Sequence, residues 1–268
     1  MPAWVFVLVL GAALLPAYVL PAFFRISNES LKVLAVSGCL LAAFAFQPGD
    51  YLRRGWFYQG ACFACLLVRD TTLIPGFDTA RDIHLVRALL AAAANAFGVA
   101  SCWRFGRAWA VAELPDTDRS RLRAYLAAGG LAVLFGCGSL AIHVRAAVQG
   151  DPAAFVSIAS QVGDLIGLCL IAPVLPTALA LRGGRLAWPW IMLTASFLGW
   201  LVYDGFMAAT SVFPVSPLLR KTVGESCRAV ALIFTLASAI AQRRVTSGEL
   251  LSASSGSSGS ENAPSSQH

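Results

Sequence analysis

Long apolar runs separated by short polar connections make up most of this chain. A helix that crosses a membrane needs about 20 mostly apolar residues, with a range of about 17 to 25. The segments that approach this length are residues 4–24, 31–46, 56–75, 85–102, 124–148, 155–181, 186–212 and 219–241. The pattern therefore predicts an all-α fold, a polytopic transmembrane helical bundle of eight helices that occupies residues 1–244.

Three parts of the chain depart from this simple pattern. The third segment loses its apolar character at Arg69 and Asp70, and if it does not cross, the bundle has seven helices. At the start of the second segment, Lys32 is expected to extend its ammonium group to the membrane surface. Residues 245–268 are rich in Ser and Gly and poor in apolar side chains, so we predict a disordered C-terminal tail.

Composition supports the membrane assignment and helps to orient the chain. With 57% hydrophobic and 13% charged residues, the protein lacks the polar surface of a soluble domain, and its partner is the lipid bilayer. The net charge of +6 does not indicate nucleic-acid binding, because Lys and Arg lie mostly between the apolar runs, where they set topology. The positive-inside bias places the arginine-rich loop from Arg104 to Arg123, and the C-terminus, in the cytoplasm.

A carboxylate interrupts the middle of the sixth segment. Asp164 lies about 14 Å along its helix, near the membrane midplane. Ionisable groups at such a depth indicate a functional site. Asp204, Glu225 and Arg228 lie in the last two segments, and His143 lies near the end of the fifth. In the predicted topology all five occupy the outer half of helices five to eight, and we treat them as a candidate ligand- or proton-binding site in a polar cavity.

The partners of these charges follow from their depth and spacing. Asp204 and Arg228 are at similar depths on adjacent helices and are expected to form an ion pair. Glu225 is one helical turn from Arg228. Asp164 has no local partner, which leaves three alternatives: a neutral carboxyl bonded to the backbone or to a Ser or Gln neighbour, a contact with Arg228 or His143, or exposure to water.

Glycines indicate where helices approach closely. Gly163 and Gly167 bracket Asp164 and are expected to press that turn against a neighbouring helix. The fifth segment is expected to make close contacts through a set of four glycines: Gly129, Gly130, Gly136 and Gly138.

The sequence predicts no metal, no cofactor and no catalytic residue. The seven cysteines fall within or at the ends of apolar runs, as expected of small buried side chains. The spacing of Cys62 and Cys65 suits zinc or redox chemistry, but no second pair or nearby His completes four ligands. His84 and His143 lie near helix ends, which does not favour haem. Since no HExxH or GxSxG motif is present, the chain is more typical of a non-enzymatic protein.

A short stretch is similar to a known family. The sequence Gly163-Asp164-Leu-Ile-Gly167, followed by Ala172-Pro173, resembles the GD-x-x-G…P signature in a late helix of the MASE-type integral membrane sensor domains of bacteria. The match covers only this stretch of the 268 residues. The resemblance implies a membrane sensor or accessory protein whose signalling partner is a separate chain.

These observations lead to two functional hypotheses. The first is a multi-pass sensor or interaction protein of a bacterial inner (plasma) membrane, which contacts a cytoplasmic partner through the Arg104–Arg123 loop. The second is a small transporter or proton-coupled permease in which Asp164 is the titrating group.

Overall fold

The structure is a computed structural model that describes residues 3–14, 21–71, 83–111, 118–171 and 187–257. Within these ranges the chain forms nine α-helices and no strand, which confirms the all-α prediction. The helices are α1 (Ala3–Leu14), α2 (Pro21–Phe44), α3 (Tyr51–Thr71), α4 (Ile83–Val111), α5 (Asp118–Ala132), α6 (Gly138–Val148), α7 (Pro152–Ile171), α8 (Ala187–Val212) and α9 (Pro217–Ser257).

Five of the described helices, rather than eight, are long and apolar enough to cross a membrane. The qualifying segments are Ile26–Phe44, Leu85–Arg107, Ala154–Ile171, Ala187–Thr210 and Pro217–Gly248, in α2, α4, α7, α8 and α9. By contrast, α1 and α6 are apolar but short. Helix α3 is long enough but carries charged residues at both ends: Arg53, Arg54, Arg69 and Asp70. The chain is thus a helical membrane protein, and the count of eight spans is not confirmed.

The arginine-rich stretch predicted as the longest loop is mostly helical. Helix α4 continues to Val111 and α5 begins at Asp118, while residues 112–117 lie outside the described ranges. Arginine is a good helix former, and its long side chain reaches polar surroundings without a break in the helix. One example is Arg104, whose guanidinium lies 5.7 Å from the centre of the Tyr51 ring.

Three helix boundaries also differ from the sequence pattern. Pro21 begins α2, although it was included in the first apolar segment, because proline fits the first turn of a helix. Helix α7 ends at Ile171, and the rest of the sixth segment, with Pro173, lies outside the described residues. Helix α9 continues to Ser257, into the segment predicted to be disordered. Residues 258–268 lie outside the residues that the structure describes.

One half of the bundle is filled by aromatic side chains. Phe105 of α4 makes edge contacts with Trp56 of α3 at 5.2 Å and with Trp190 of α8 at 5.3 Å between ring centres. All three rings are buried. The absence of a side chain at Gly55 lets the Phe105 ring lie against α3. This half of the molecule is therefore a closed apolar core.

Hydroxyl groups join α8 to α9. Ser196 Oγ donates to the carbonyl of Ala231 at 2.8 Å and lies 2.7 Å from Thr235 Oγ1. Ser238 Oγ donates to the carbonyl of Pro189 at 2.6 Å. Because lipid is as apolar as the helix surface, such polar contacts and close packing are what hold membrane helices together.

The glycines behave differently on α7 and α5. A Cβ at Gly163 would lie 3.2 Å from Asn95 on α4, and one at Gly167 would lie 3.2 Å from Phe197 on α8, so the predicted close approach of this turn is confirmed. On the fifth segment the prediction is wrong for three of the four glycines, since an added Cβ would meet no described neighbour within 4 Å at Gly129, Gly130 or Gly138. Only Gly136 contacts another helix there, through Leu165.

A π-helical turn, Val133–Cys137, joins α5 to α6. A π turn carries one extra residue and displaces the backbone hydrogen bonds. Here the carbonyl of Gly136 accepts a hydrogen bond from Gln161 Nε2 at 3.3 Å, and Ser139 Oγ donates to Gln161 Oε1 at 2.7 Å. These bonds fasten α6 to α7.

We predict that Gly55→Ala destabilises the protein. The new methyl group would lie 2.5 Å from Phe105 Cε1, and the surrounding Trp56 and Trp190 rings leave the phenyl ring no space into which to move. Overpacking of this kind costs about 1–3 kcal/mol. The thermal unfolding midpoint of the purified protein should fall.

The matched control is Gly129→Ala, where an added methyl meets no described neighbour. This variant should unfold at or slightly above the parent temperature, because alanine favours helix over glycine. Equal midpoints for the two variants would contradict the packing that we describe.

Candidate functional site

A cavity of about 470 Å³ lies in the half of the bundle away from the aromatic core. Its wall is formed by α3, α4, α6, α7, α8 and α9, and its size suits a small molecule. Phe63, Phe197 and Trp200 supply apolar surface. The polar side chains of the wall are Gln59, Arg69, Asn95, His143, Ser157, Ser160, Gln161, Asp164, Tyr203, Asp204, Arg220 and Arg228.

Four of the five site residues predicted from sequence line this cavity. They are His143 on α6, Asp164 on α7, Asp204 on α8 and Arg228 on α9. The fifth, Glu225, lines an adjoining groove of about 300 Å³ at the start of α9. The wall extends beyond the four helices expected, because α3 and α4 also contribute.

The carboxyl groups of Asp164 on α7 and Asp204 on α8 both line the cavity and lie close enough to interact electrostatically. Both residues are half-buried in the cavity wall, and Asp204 Oδ2 is buried without a hydrogen-bond partner among the described residues. Asp164 thus meets a carboxyl on another helix, a partner absent from the alternatives considered from sequence.

The predicted ion pair between Asp204 and Arg228 is not formed. Arg228 Nη2 instead lies 2.6 Å from Asp70 Oδ2, on α3. Its Nη1 lies 3.3 Å from Glu225 Oε2, the contact expected one turn away on the same helix. The guanidinium also lies 5.9 Å from the centre of the Tyr203 ring.

Asp70 is the centre of a charge network that connects α2, α3 and α9. Its Oδ2 also lies 2.5 Å from Lys32 Nζ, and its Oδ1 lies 2.8 Å from Arg69 Nε. The Asp70 side chain is only 6% exposed. A single carboxylate therefore contacts three cationic side chains.

The expectation that Lys32 extends to the membrane surface is wrong. Its side chain is fully buried, and its ammonium contacts Glu29, at 2.6 Å, as well as Asp70. Two carboxylates within the bundle satisfy the charge, so the side chain has no need to reach water. Asn28, one turn before Lys32, donates from Nδ2 to the carboxylate of Glu225 on α9.

Among the residues that the structure describes, this network is formally neutral. It contains three acidic side chains, Glu29, Asp70 and Glu225, and three basic ones, Lys32, Arg69 and Arg228. Burial of an isolated charge costs several kcal/mol, but compensated charges with additional hydrogen bonds can be accommodated. The network can thus form part of the wall of a membrane cavity without a net charge.

Sequence reasoning missed Asp70 and the α2 residues that surround it. A signal was present, since the start of the second apolar segment and the end of the third fall on the same side of the membrane in the predicted topology. Complementary charges at these two helix ends, Glu29 and Lys32 on one and Arg69 and Asp70 on the other, indicate a possible contact.

The paired cysteine spacing does not form a metal centre. Cys62 lines the cavity and Cys65 does not. No group of three or more His, Cys, Asp or Glu side chains that could hold a metal occurs among the described residues. The thiol of Cys62 nevertheless marks the cavity wall for chemical labelling.

Comparison with protein-family models, with curated proteins and with solved structures finds no match. The chemistry of the cavity therefore has to be argued from its own residues, and the likeness to the MASE-type sensors stays a prediction.

We predict that Asp70→Asn strongly destabilises the protein. The change leaves Lys32, Arg69 and Arg228 without the carboxylate that they share, and removal of one partner from a buried ion pair costs about 3–5 kcal/mol. The unfolding midpoint should fall well below that of Arg145→Gln, which removes a charge from an exposed position on α6.

A double substitution checks the assignment to the network. Lys32→Met combined with Asp70→Asn removes one buried charge of each sign, and should be less destabilising than the sum of the two single changes. Additive effects would contradict a direct interaction between the two side chains.

Proposed function

We propose that this protein is a multi-pass membrane sensor or accessory protein, and that the cavity binds the small molecule to which it responds. The observation that carries this proposal is the convergence of two carboxyl groups, those of Asp164 and Asp204, and an arginine of the charge network on one cavity within a helical membrane bundle. Ionisable groups in such a place are costly and mark functional sites.

The proposed topology has eight crossings in a bacterial inner membrane, with the C-terminus in the cytoplasm. Helices α5 and α6 with the π turn form one crossing, and α3 forms another. The cavity then lies in the outer half. The opposite end carries arginines of α4 and α5, including Arg104 and Arg119, which are suited to a cytoplasmic partner chain or to anionic lipid.

The aromatic core favours sensing over transport. The cavity occupies one half of the bundle, and Trp56, Phe105 and Trp190 are buried against one another in the other half. The wall of the cavity includes Arg228, which ties α9 to α3 through Asp70. A ligand that contacts this wall would change the relative stability of two packings of α3 and α9, which is the requirement for a ligand-driven switch.

A labelling experiment tests the ligand site. The purified protein in nanodiscs is treated with a small methanethiosulfonate reagent while a set of polar metabolites is screened for protection of Cys62. A ligand of the cavity should slow modification of Cys62 by about tenfold or more at saturation. It should leave unchanged the rate at Cys169, which is exposed on the outer surface of α7.

Asp164→Asn and Arg228→Ala should each weaken this protection, because both side chains line the cavity. Arg145→Gln, on the exposed side of α6, should not. If no compound protects Cys62, or if protection is the same in the Asp164→Asn and parent proteins, the proposed site is wrong.

The alternative is a proton-coupled permease. The two carboxyl groups that line the cavity, Asp164 and Asp204, favour it, since a carboxyl group within a membrane can bind and release a proton as a solute crosses. It predicts substrate uptake into proteoliposomes that depends on a pH gradient and is lost in Asp164→Asn. Ligand protection of Cys62 without uptake would favour the sensor.

A further inference from the structure

We infer that the end of the bundle that holds the aromatic core binds the phosphate group of an anionic phospholipid, between Arg54 of α3 and Arg104 of α4. This inference gives a site to one of the two partners proposed for that end, and so rests on the membrane placement in the proposed function. It does not depend on the ligand of the cavity. It is carried by the contacts between α3 and α4, by uncompensated charge and by aromatic surface.

Contacts between α3 and α4 bring the two arginines to the same place. The guanidinium of Arg104 lies 5.7 Å from the centre of the ring of Tyr51, the first residue of α3. Arg54 is one turn after Tyr51, on the same face of that helix. Next to it, the carbonyl of Gly55 accepts a hydrogen bond of 2.9 Å from Ser101 Oγ, one turn before Arg104. Tyr51 therefore lies beside both arginines.

The apolar segment of α4 ends at these positions. The part of the helix that is long and apolar enough to cross a membrane runs from Leu85 to Arg107. Arg104 and Arg107 are one turn apart at its end, the first half-buried and the second exposed. A crossing helix leaves the hydrocarbon where its apolar segment ends, so these guanidinium groups lie at the level of the lipid headgroups.

The positive charge at this place is not compensated by the described residues. No ion pair among them involves Arg54, Arg104 or Arg107. The acidic residue that precedes these arginines, Asp50, caps α3, since its Oδ1 accepts a hydrogen bond of 2.7 Å from the backbone N–H of Leu52. Guanidinium groups bind phosphate oxygens through paired hydrogen bonds, so an anionic phosphate is favoured here.

Aromatic side chains continue the surface towards the hydrocarbon. Tyr58, one turn after Arg54, stacks on Phe97 of α4 with 6.1 Å between the ring centres. Both rings are half-buried, and Trp103, beside Arg104, is 53% exposed. Aromatic rings with a polar tip are typical of the boundary between headgroups and acyl chains.

The combination of arginines and rings favours a lipid over other anions. Phe97 lies seven residues before Arg104, or about 10 Å deeper along the helix. A free phosphate ion, or an acidic segment of a partner chain that approaches from water, would contact the arginines without this deeper surface. A phospholipid contacts both, because its acyl chains lie below its phosphate. Such a lipid would bridge α3 and α4.

Fluorescence quenching by brominated lipids tests the inference. The full-length protein is placed in phosphatidylcholine nanodiscs that contain an increasing fraction of either phosphatidylglycerol or phosphatidylcholine with brominated acyl chains. Bromine quenches tryptophan on contact, and the part of the quenching that Trp103→Phe removes reports this site. Phosphatidylglycerol should bind there at least about tenfold more tightly than phosphatidylcholine, since each arginine near an anionic headgroup contributes about fivefold.

Substitutions assign the preference to the two arginines. Arg54→Gln and Arg104→Gln should each lower the preference for phosphatidylglycerol about fivefold, and the double variant should abolish it. Glutamine is a good helix former, so the variants should keep the elution volume and unfolding midpoint of the parent.

The matched control is Arg243→Gln. It removes an exposed arginine from the same end of the bundle, on α9, which packs against α1, α2 and α8. A diffuse attraction between the positive end and an anionic membrane would respond to this change as well. The site that we infer should keep its preference to within about twofold.

Soluble competitors identify the source of the phosphate. Glycerol 1-phosphate and an oligoglutamate peptide should leave the quenching by brominated phosphatidylglycerol unchanged. Displacement by glycerol 1-phosphate would assign the arginines to a soluble phosphate compound, and displacement by the peptide would assign them to an acidic partner chain. Either result would overturn the lipid assignment.

The remaining outcomes separate this inference from the proposed function. Equal quenching by the two brominated lipids, or an equal loss of preference in Arg243→Gln and Arg104→Gln, would overturn the lipid site and leave the cavity untouched. If neither lipid quenches Trp103, this end does not lie at the membrane surface, and the proposed topology fails together with the inference. Protection of Cys62 reports on the cavity alone, so its failure would leave the lipid site standing.

Discussion

The contact of Asp70 with Lys32, Arg69 and Arg228 is the interaction on which the polar half of this bundle depends. At separations of 2.5–2.8 Å, each attraction is worth about 6 kcal/mol at an effective dielectric constant of 20, which is of the order needed to offset desolvation. Because the three cations come from three helices, one carboxylate fixes the relative rotation of α2, α3 and α9. It also holds Arg228 in the cavity wall.

The bundle divides into an apolar half and a polar half, and the division follows from a few side chains. Large rings at positions 56, 105 and 190 fill the space between α3, α4 and α8 at one end. Further along the same helices the wall carries smaller and polar residues, such as Ala94, Asn95 and Gly98 on α4, which leave a cavity. Aromatic side chains thus pack one end of the bundle, and smaller residues leave the cavity at the other end.

Sequence reasoning predicted those parts of the structure that depend on local pattern. A run of apolar residues forms its backbone hydrogen bonds within its own helix. The central parts of α2, α4, α7, α8 and α9 could therefore be predicted from the apolar pattern alone. Shared depth was enough to bring Asp164, Asp204, Arg228 and His143 to one level. Depth does not specify which face of each helix meets which neighbour.

Because depth leaves the rotation of each helix about its axis undetermined, the predicted pairing of Asp204 with Arg228 was wrong. Arg228 and Asp204 are near each other in depth, but Arg228 contacts α3 through Asp70, and Asp204 lies near Asp164 of α7. Arg228 and Asp70 are 158 residues apart in the sequence, so no local sequence pattern indicates their contact.

The π turn before α6 also determines the rotation of a helix about its axis. One residue of an α-helix corresponds to about 100° of azimuth, so an uninterrupted α-helix over the same residues would place His143 about a quarter of the way around the helix axis from its present position in the cavity wall.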